Sequence, residues 1–205
     1  MINLKRILYK LHPIRLQFKA RRTLQNITGI KTLPDSETEK VRPNVIQFCI
    51  GKGCDLGFGG DKIKKENCDG IDYPQPYTKV GKDTVDIGCD IIKDEIPVAD
   101  NTYDYVYSSH LIEDFEDTTS GLIKMFRILK NDGLLIIAFP DQQKYEWYCN
   151  RHGTYPNPYH KHKDMGYTYM LNCLNSISTI SYNIVFESNC KIDYNVILVL
   201  KIQKH

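Results

Sequence analysis

Two groups of residues in this chain are of kinds that do chemistry. The first is Cys54-Asp55-Leu56-Gly57-Phe58-Gly59-Gly60, followed by Cys68-Asp69-Gly70-Ile71-Asp72. Glycines let a backbone turn tightly and approach a ligand with no Cβ in the way, and amide groups at such a turn can face an anion or a dipole. A carboxylate ending the next strand is where a βαβ nucleotide site needs an acceptor for ribose hydroxyls, and Asp72 stands there. The second group is Ser108-Ser109-His110, with Glu113 close behind. An imidazole titrates near neutrality, so His110 is a candidate general base, with Glu113 as a partner.

A third set, Cys149, His152, His160 and His162, invites a metal reading. Lysines between the histidines repel a cation, and two ligands are too few for a closed site. We therefore expect no metal here, and read these residues as binding a hydroxylated or anionic acceptor, or as a solvated loop. The G-x-x-x-x-G-K pattern of a P-loop is absent, which sets aside that class of ATPase.

These residues need elements to hold them. The apolar-leaning run Asn44 to Ile50 reads as a strand feeding the glycine turn, and Thr32 to Asn44 as the loop before it. Cys68 to Asp72 reads as a short strand. Tyr103 to Tyr107, aromatic and β-branched, suits a buried central strand whose carboxyl end carries Ser108, Ser109 and His110 into the same crevice as Gly57 and Asp72. Leu122, Met125, Phe126 and Leu129 recur at helical spacing and predict a helix from Thr118 to Leu129, stopped by Asn131-Asp132-Gly133. Leu134 to Phe139 predicts an apolar strand covered on both faces. Gln142 to Asp164 shows little periodicity and reads as a loop rich in Tyr, His and Lys; a helix at Met165 to Ser176 and strands at Thr179 to Glu187 and Tyr194 to Ile202 follow.

Taken together, the glycine block, Gly70-Ile71-Asp72, the run Tyr103-Asp104-Tyr105-Val106-Tyr107-Ser108-Ser109-His110-Leu111-Ile112-Glu113-Asp114, and Met125 to Ile137 resemble a small single-domain class I S-adenosylmethionine-dependent methyltransferase. The resemblance covers about residues 44 to 140. It implies an α/β, Rossmann-like, doubly wound seven-stranded sheet, mostly parallel, with a C-terminal antiparallel strand pair. It also implies S-adenosylmethionine as cofactor, contacted by Asp55, Gly57, Phe58, Gly59, Asp72, Tyr73 and Ser108. Asp86 or Asp90, around the third strand, would reach the adenine. By analogy the acceptor is a small molecule or glycan, methylated on a sugar hydroxyl. The asparagine-proline-proline-aromatic signature of base- and glutamine-methylating enzymes is absent, which argues against nucleic acid. Two other readings stay open: a catalytically inactive protein that binds the adenosyl cofactor and acts in regulation or assembly, and a nicotinamide-dependent Rossmann enzyme.

At 205 residues with a formal charge of +2, the chain is long enough for one substantial core and is not basic enough to signal nucleic acid. Seven scattered cysteines fit a reducing compartment, so we expect a cytoplasmic protein. No apolar run is long enough to span a membrane. We divide the chain into residues 1–43, a basic N-terminal arm and loop, and residues 44–205, the methyltransferase domain. The arm carries no acidic residue before Asp35 and is suited to covering the core or touching an anionic membrane surface.

Overall fold

The computed structural model describes residues 36–74 and 81–205. The basic arm, apart from its last few residues, and the residues 75–80 lie outside the described part. The elements are α1 (Glu37–Val45), a 3-10 turn (Ile46–Phe48), β1 (Gly53–Leu56), β2 (Cys68–Asp72), β3 (Ile87–Gly88) and β4 (Tyr103–Ser109). After a second 3-10 turn (Ile112–Asp114) come α2 (Thr118–Ile128), β5 (Leu129–Pro140), α3 (Gln142–Arg151), α4 (Tyr167–Asn175), β6 (Ile180–Ile192) and β7 (Asn195–Lys204).

The strands form one seven-stranded sheet in the order β3-β2-β1-β4-β5-β7-β6. The first five pair in parallel, and β7 runs antiparallel to both β5 and β6. This is the expected fold class, including the C-terminal antiparallel pair. The order reverses direction at β1, whose neighbours are β2 and β4, so the crevice beyond their carboxyl ends is a topological switch point. Both faces are covered: Leu56, Val106, Leu135, Ile137 and Leu198 pack on one side, and Tyr105, Tyr107, Ile136, Val41 and Val45 on the other.

Four local expectations are corrected. Asn44 to Ile50 is not a strand: Asn44 and Val45 end α1, and the strand feeding the glycine turn is the shorter Gly53–Leu56. Much of the expected loop before it is α1, started by Ser36, whose side chain accepts from Glu39 N. Pro43 lies inside this helix, and its presence disguised the helix in the sequence. Finally, the Gln142–Asp164 stretch opens with α3, capped by Asp141, whose side chain accepts from Lys144 N at 3.1 Å. Only Gln142 and Cys149 of α3 are buried, too little apolar surface to leave a periodic trace. Gly133 does not end α2 either; β5 already begins at Leu129, and Asp132 sits at positive φ in an irregular stretch of that strand.

One contact in β1 gives a sharp test. A Cβ built on Gly53 would lie 2.0 Å from Cζ of Tyr105, a ring that is fully buried. The ring has nowhere to go without disturbing the core. Gly53→Ala is therefore expected to cost about 3 kcal/mol or more, read as a lowered urea midpoint; an unchanged midpoint would show that the two strands are not in this register.

Candidate active site

The glycine turn is built by three backbone conformations that side chains resist: Gly57, Gly59 and Gly60 have φ of 70°, 58° and 88°. Asp72, at the end of β2, accepts from Gly59 N at 2.9 Å through Oδ2 and from Tyr73 N at 2.7 Å through Oδ1. Its carboxylate thus clamps the turn, and each oxygen keeps acceptor capacity for a ligand hydroxyl. Burial raises its pKa, and the two amide bonds oppose that rise. Asp55 is wholly buried and accepts from Ile63 N at 2.7 Å through Oδ2, while Oδ1 has no hydrogen-bond partner. Burial pushes its carboxyl well above the usual range. Ser108 donates to Leu56 O at 3.2 Å and ties β4 to β1. Phe58 is buried against Gly70 of β2, while the Tyr73 side chain is half-exposed.

The two aspartates near β3 lie at opposite ends of it. Asp86 precedes the strand, where its carboxylate accepts from Gly70 N at 2.7 Å and pairs with Lys62 at 2.6 Å. Asp90 follows the strand, beyond its carboxyl end, and accepts from Lys93 N at 3.2 Å. An open pocket of roughly 400 Å³ lined by Lys52, Lys62, Lys65, Asp69 and Asp86 lies on the amino-terminal edge of the sheet, away from the glycine turn. Ligands of open α/β sheets sit at the other edge, so the size of this pocket does not make it the reaction site.

α1 packs on one face of the sheet through Val41 and Val45, and its first turn reaches the carboxyl edge. At one side Arg42 pairs with Asp61 at 2.6 Å and donates to Lys62 O and Ile63 O, fixing the segment after the glycine turn. At the other, Glu37 accepts from Tyr194 Oη at 2.8 Å and from Asn195 Nδ2 at 3.3 Å, and pairs with Lys40 at 2.8 Å. Next to it stands His110, held at φ 54° beyond the end of β4 by its amide, which donates to Ala138 O. Such a conformation in a non-glycine residue persists where its surroundings over-determine it.

The protonation of His110 follows from its partners. Asn195 Nδ2 donates to Glu37, which leaves Asn195 Oδ1 as the acceptor facing His110 Nε2 at 2.7 Å. Nδ1 lies 3.1 Å from Glu113 Oε1, an ion-pair contact. Glu37 Oε2 is 3.6 Å from Nε2. Burial alone would lower this imidazole's pKa, but Glu113 and Glu37 outweigh it and raise it to about 9. For Glu37 burial again opposes, and His110 and Lys40 bring the carboxyl down to about 2. Asp114, buried beside Glu113, is pushed up to about 7. His110 is therefore an imidazolium at neutral pH, and in that state has no lone pair with which to take a proton.

His160 joins the same cluster from the loop after α3: Nδ1 is 2.8 Å from Gln142 Oε1, and Nε2 is 3.6 Å from Glu113 Oε1. His162 instead donates to Phe115 O at 2.9 Å. Cys149 is buried, and His152 Nδ1 meets Tyr148 O at 2.8 Å. Among the described residues no group of three or more His, Cys, Asp or Glu is arranged to hold a metal ion, and no helix is long and apolar enough to cross a membrane. Sequence reading brought out Asp72, the glycines, His110 and Glu113. It missed Glu37, Gln142 and Asn195, which carry no local motif.

Comparison with known proteins bears on this arrangement. Residues 62–137 match the family model described as a methyltransferase domain, a stretch from just past the glycine turn to β5 that includes His110 and Glu113. No curated protein matches the chain. Among solved structures, a S-adenosylmethionine-dependent methyltransferase from Aquifex aeolicus superposes with a TM-score of 0.53 at 14% identity, over 81% of this chain and 89% of that one. One from Archaeoglobus fulgidus gives 0.56 at 16%, over 80% and 92%. A Pyrococcus horikoshii protein gives 0.58 at 16%, over 80% and 88%. At these identities the likeness is one of fold. The chain has a small single-domain class I S-adenosylmethionine-dependent methyltransferase-like fold.

Proposed function

We propose that this protein, starting from that fold, transfers a methyl group from S-adenosylmethionine to a hydroxyl of a sugar in a small molecule or glycan. The observation that carries the cofactor half is the glycine turn at the switch point, clamped by Asp72 through Gly59 N at 2.9 Å. The residues fit the group: the turn offers backbone amides without side chains, Asp72 has acceptor capacity for ribose hydroxyls, and Asp55 keeps a buried oxygen with no partner. Of the two aspartates near β3, we assign the adenine contact to Asp90, because it follows the strand on the ligand-bearing edge. When bound, the cofactor supplies an electrophilic methyl on a sulfonium.

The acceptor half rests on the exposed aromatic residues of the segment that brings His160 to Glu113. Trp147, Tyr155 and Tyr159 are each more than half exposed, at 59%, 60% and 59%, on α3 and the loop that follows it. Exposed aromatic residues on the segment that also carries Gln142 and His160 suit the apolar faces of a sugar ring, although Arg151 lies over the Trp147 ring at 5.1 Å. Within this reading, His110 and Glu113 fix the charge and geometry of the acceptor side, and His110 as imidazolium orients rather than deprotonates.

Calorimetric titration of the full-length chain with S-adenosylmethionine, S-adenosylhomocysteine and NAD tests the cofactor assignment. We expect the two adenosyl compounds to bind in the micromolar range and NAD not to compete. Binding of NAD alone would replace this reading with a nicotinamide enzyme, and binding of none of the three would remove it. Cofactor binding with no turnover of any sugar would favour the regulatory alternative.

A further inference from the structure

The ammonium of Lys124, on α2, is held by backbone carbonyls. It donates to Ile91 O at 3.1 Å, to Ile92 O at 3.1 Å and to Asp94 O at 2.8 Å. An ammonium has three donors, so all of them are spent on one turn of chain. That turn starts at Asp90: Asp94 N donates to Asp90 O at 2.7 Å, and Lys93 N to Asp90 O at 3.1 Å and to Asp90 Oδ1 at 3.2 Å. Of residues 91 to 95 only Ile91 is buried, so apolar packing does little to fix the turn and its polar ties carry it. Just upstream, Gly88 pairs with Asp72 across β3 and β2, and Cys89 N donates to Asp72 O at 2.9 Å. Asp90 therefore stands close to the carboxylate of the glycine turn, on an edge of chain whose shape depends on a lysine from α2.

We propose that Lys124 is the positioning residue for base recognition: by gathering the carbonyls of Ile91, Ile92 and Asp94 it holds the Asp90 carboxylate where it accepts from the exocyclic amino group of adenine. This rests on the assignment of the adenine contact to Asp90 made above. Without the ammonium the three carbonyls lose their common partner, and the turn that carries Asp90 is released. What is lost is selection of the base; the ribose keeps its acceptor, because Asp72 is fixed separately by Gly59 N and Tyr73 N. Arg127, one turn further along α2, gives the contrast. It donates to Ile96 O and Val98 O and pairs with Asp100 at 2.8 Å, securing the later part of the same segment and not the Asp90 turn.

The test is calorimetry on the full-length chain with S-adenosylhomocysteine and S-inosylhomocysteine, in which a carbonyl oxygen replaces the amino group of adenine. The wild type should favour the adenine compound by about 10- to 100-fold, the worth of one charge-assisted hydrogen bond, and Asp90→Ala should bring the ratio close to one. Lys124→Met, which keeps the stem and removes the ammonium, should lower the ratio by about threefold or more while leaving affinity for the inosine compound little changed. Lys124→Gln repeats the measurement should the Met variant not fold. Arg127→Met should lower the urea midpoint and keep the wild-type ratio. A ratio that Asp90→Ala erases and both Lys124 variants leave intact overturns the role of Lys124 and spares the Asp90 assignment. An equal fall in Arg127→Met and Lys124→Met also overturns it, since that would be general loosening of the segment. A wild type with no preference between the two compounds, or a preference that survives Asp90→Ala, overturns the Asp90 assignment and this inference together.

Discussion

Asp72→Ala is expected to weaken S-adenosylmethionine binding by about 10- to 100-fold, the equivalent of one lost charge-assisted hydrogen bond of roughly 1.5–3 kcal/mol. The loss should be equal for S-adenosylhomocysteine and for adenosine, because the ribose is common to all three. Two effects contribute. The ribose loses its acceptor, and the turn loses the carboxylate that holds Gly59 N at 2.9 Å and Tyr73 N at 2.7 Å. Asp72→Asn separates them in part: the amide oxygen can still accept from Gly59 N while the NH2 group cannot accept from Tyr73 N, so one of the two turn bonds is kept, the charge is removed, and an intermediate loss is expected. Isothermal titration of the three ligands against wild type and both variants decides the matter. Wild-type affinity in Asp72→Ala would mean that the ribose lies elsewhere, whatever the fold.

Glu113→Ala should be the most damaging single change in the cluster around His110, costing about 3 kcal/mol of stability below pH 6.5. Removing one member of a buried ion pair strands the other; here it leaves His110 with Glu37 at 3.6 Å and Asn195 at 2.7 Å as remaining partners. The pH dependence gives a second readout. The folded-state pKa of His110 is raised from 6.5 to about 9. The stabilisation from this group is therefore complete below pH 6.5 and is lost as pH rises through 9, on the order of 3 kcal/mol across that window. Asp114, raised to about 7, also loses its contribution with rising pH, but mostly below neutrality. Burial also raises the thiol pKa of Cys49, Cys54, Cys68, Cys89, Cys173 and Cys190, which lowers stability as pH rises past the ordinary thiol range, so between about pH 7.5 and 9.5 the difference between wild type and Glu113→Ala, rather than the wild-type slope alone, reports His110. Urea unfolding at half-unit pH steps should show falling stability in the wild type over that range and a flatter curve in Glu113→Ala. Equal slopes in the two proteins there would show that His110 is not held as an imidazolium.

The cluster also explains why α1 matters to the site although it precedes the sheet. Glu37 gathers Lys40, His110, Tyr194 and Asn195, and Arg42 on the same helix secures the segment after the glycine turn. One short helix thereby links the segment after the glycine turn to the cluster around His110.

The sequence by itself determined the sheet's central strands, because a strand buried on both faces must be a short run of apolar and aromatic residues, as at Tyr103–Ser109 and Leu134 to Phe139. It also determined the glycine turn and Asp72, since positive φ at Gly57 and Gly59 is a demand made on residue type at those positions. Tertiary structure alone decided the rest. α1 and α3 bury few apolar side chains and leave little periodicity to read, so only their packing reveals them. Asn195 lies 158 positions from Glu37 and 85 from His110, so no local pattern joins them. Above all, the protonation state of each histidine was undecidable from sequence. His110 and His160 are the same residue type near the same carboxylate, and what sets them apart is that Glu113 and Glu37 outweigh burial at His110, while burial outweighs Glu113 and Glu146 at His160.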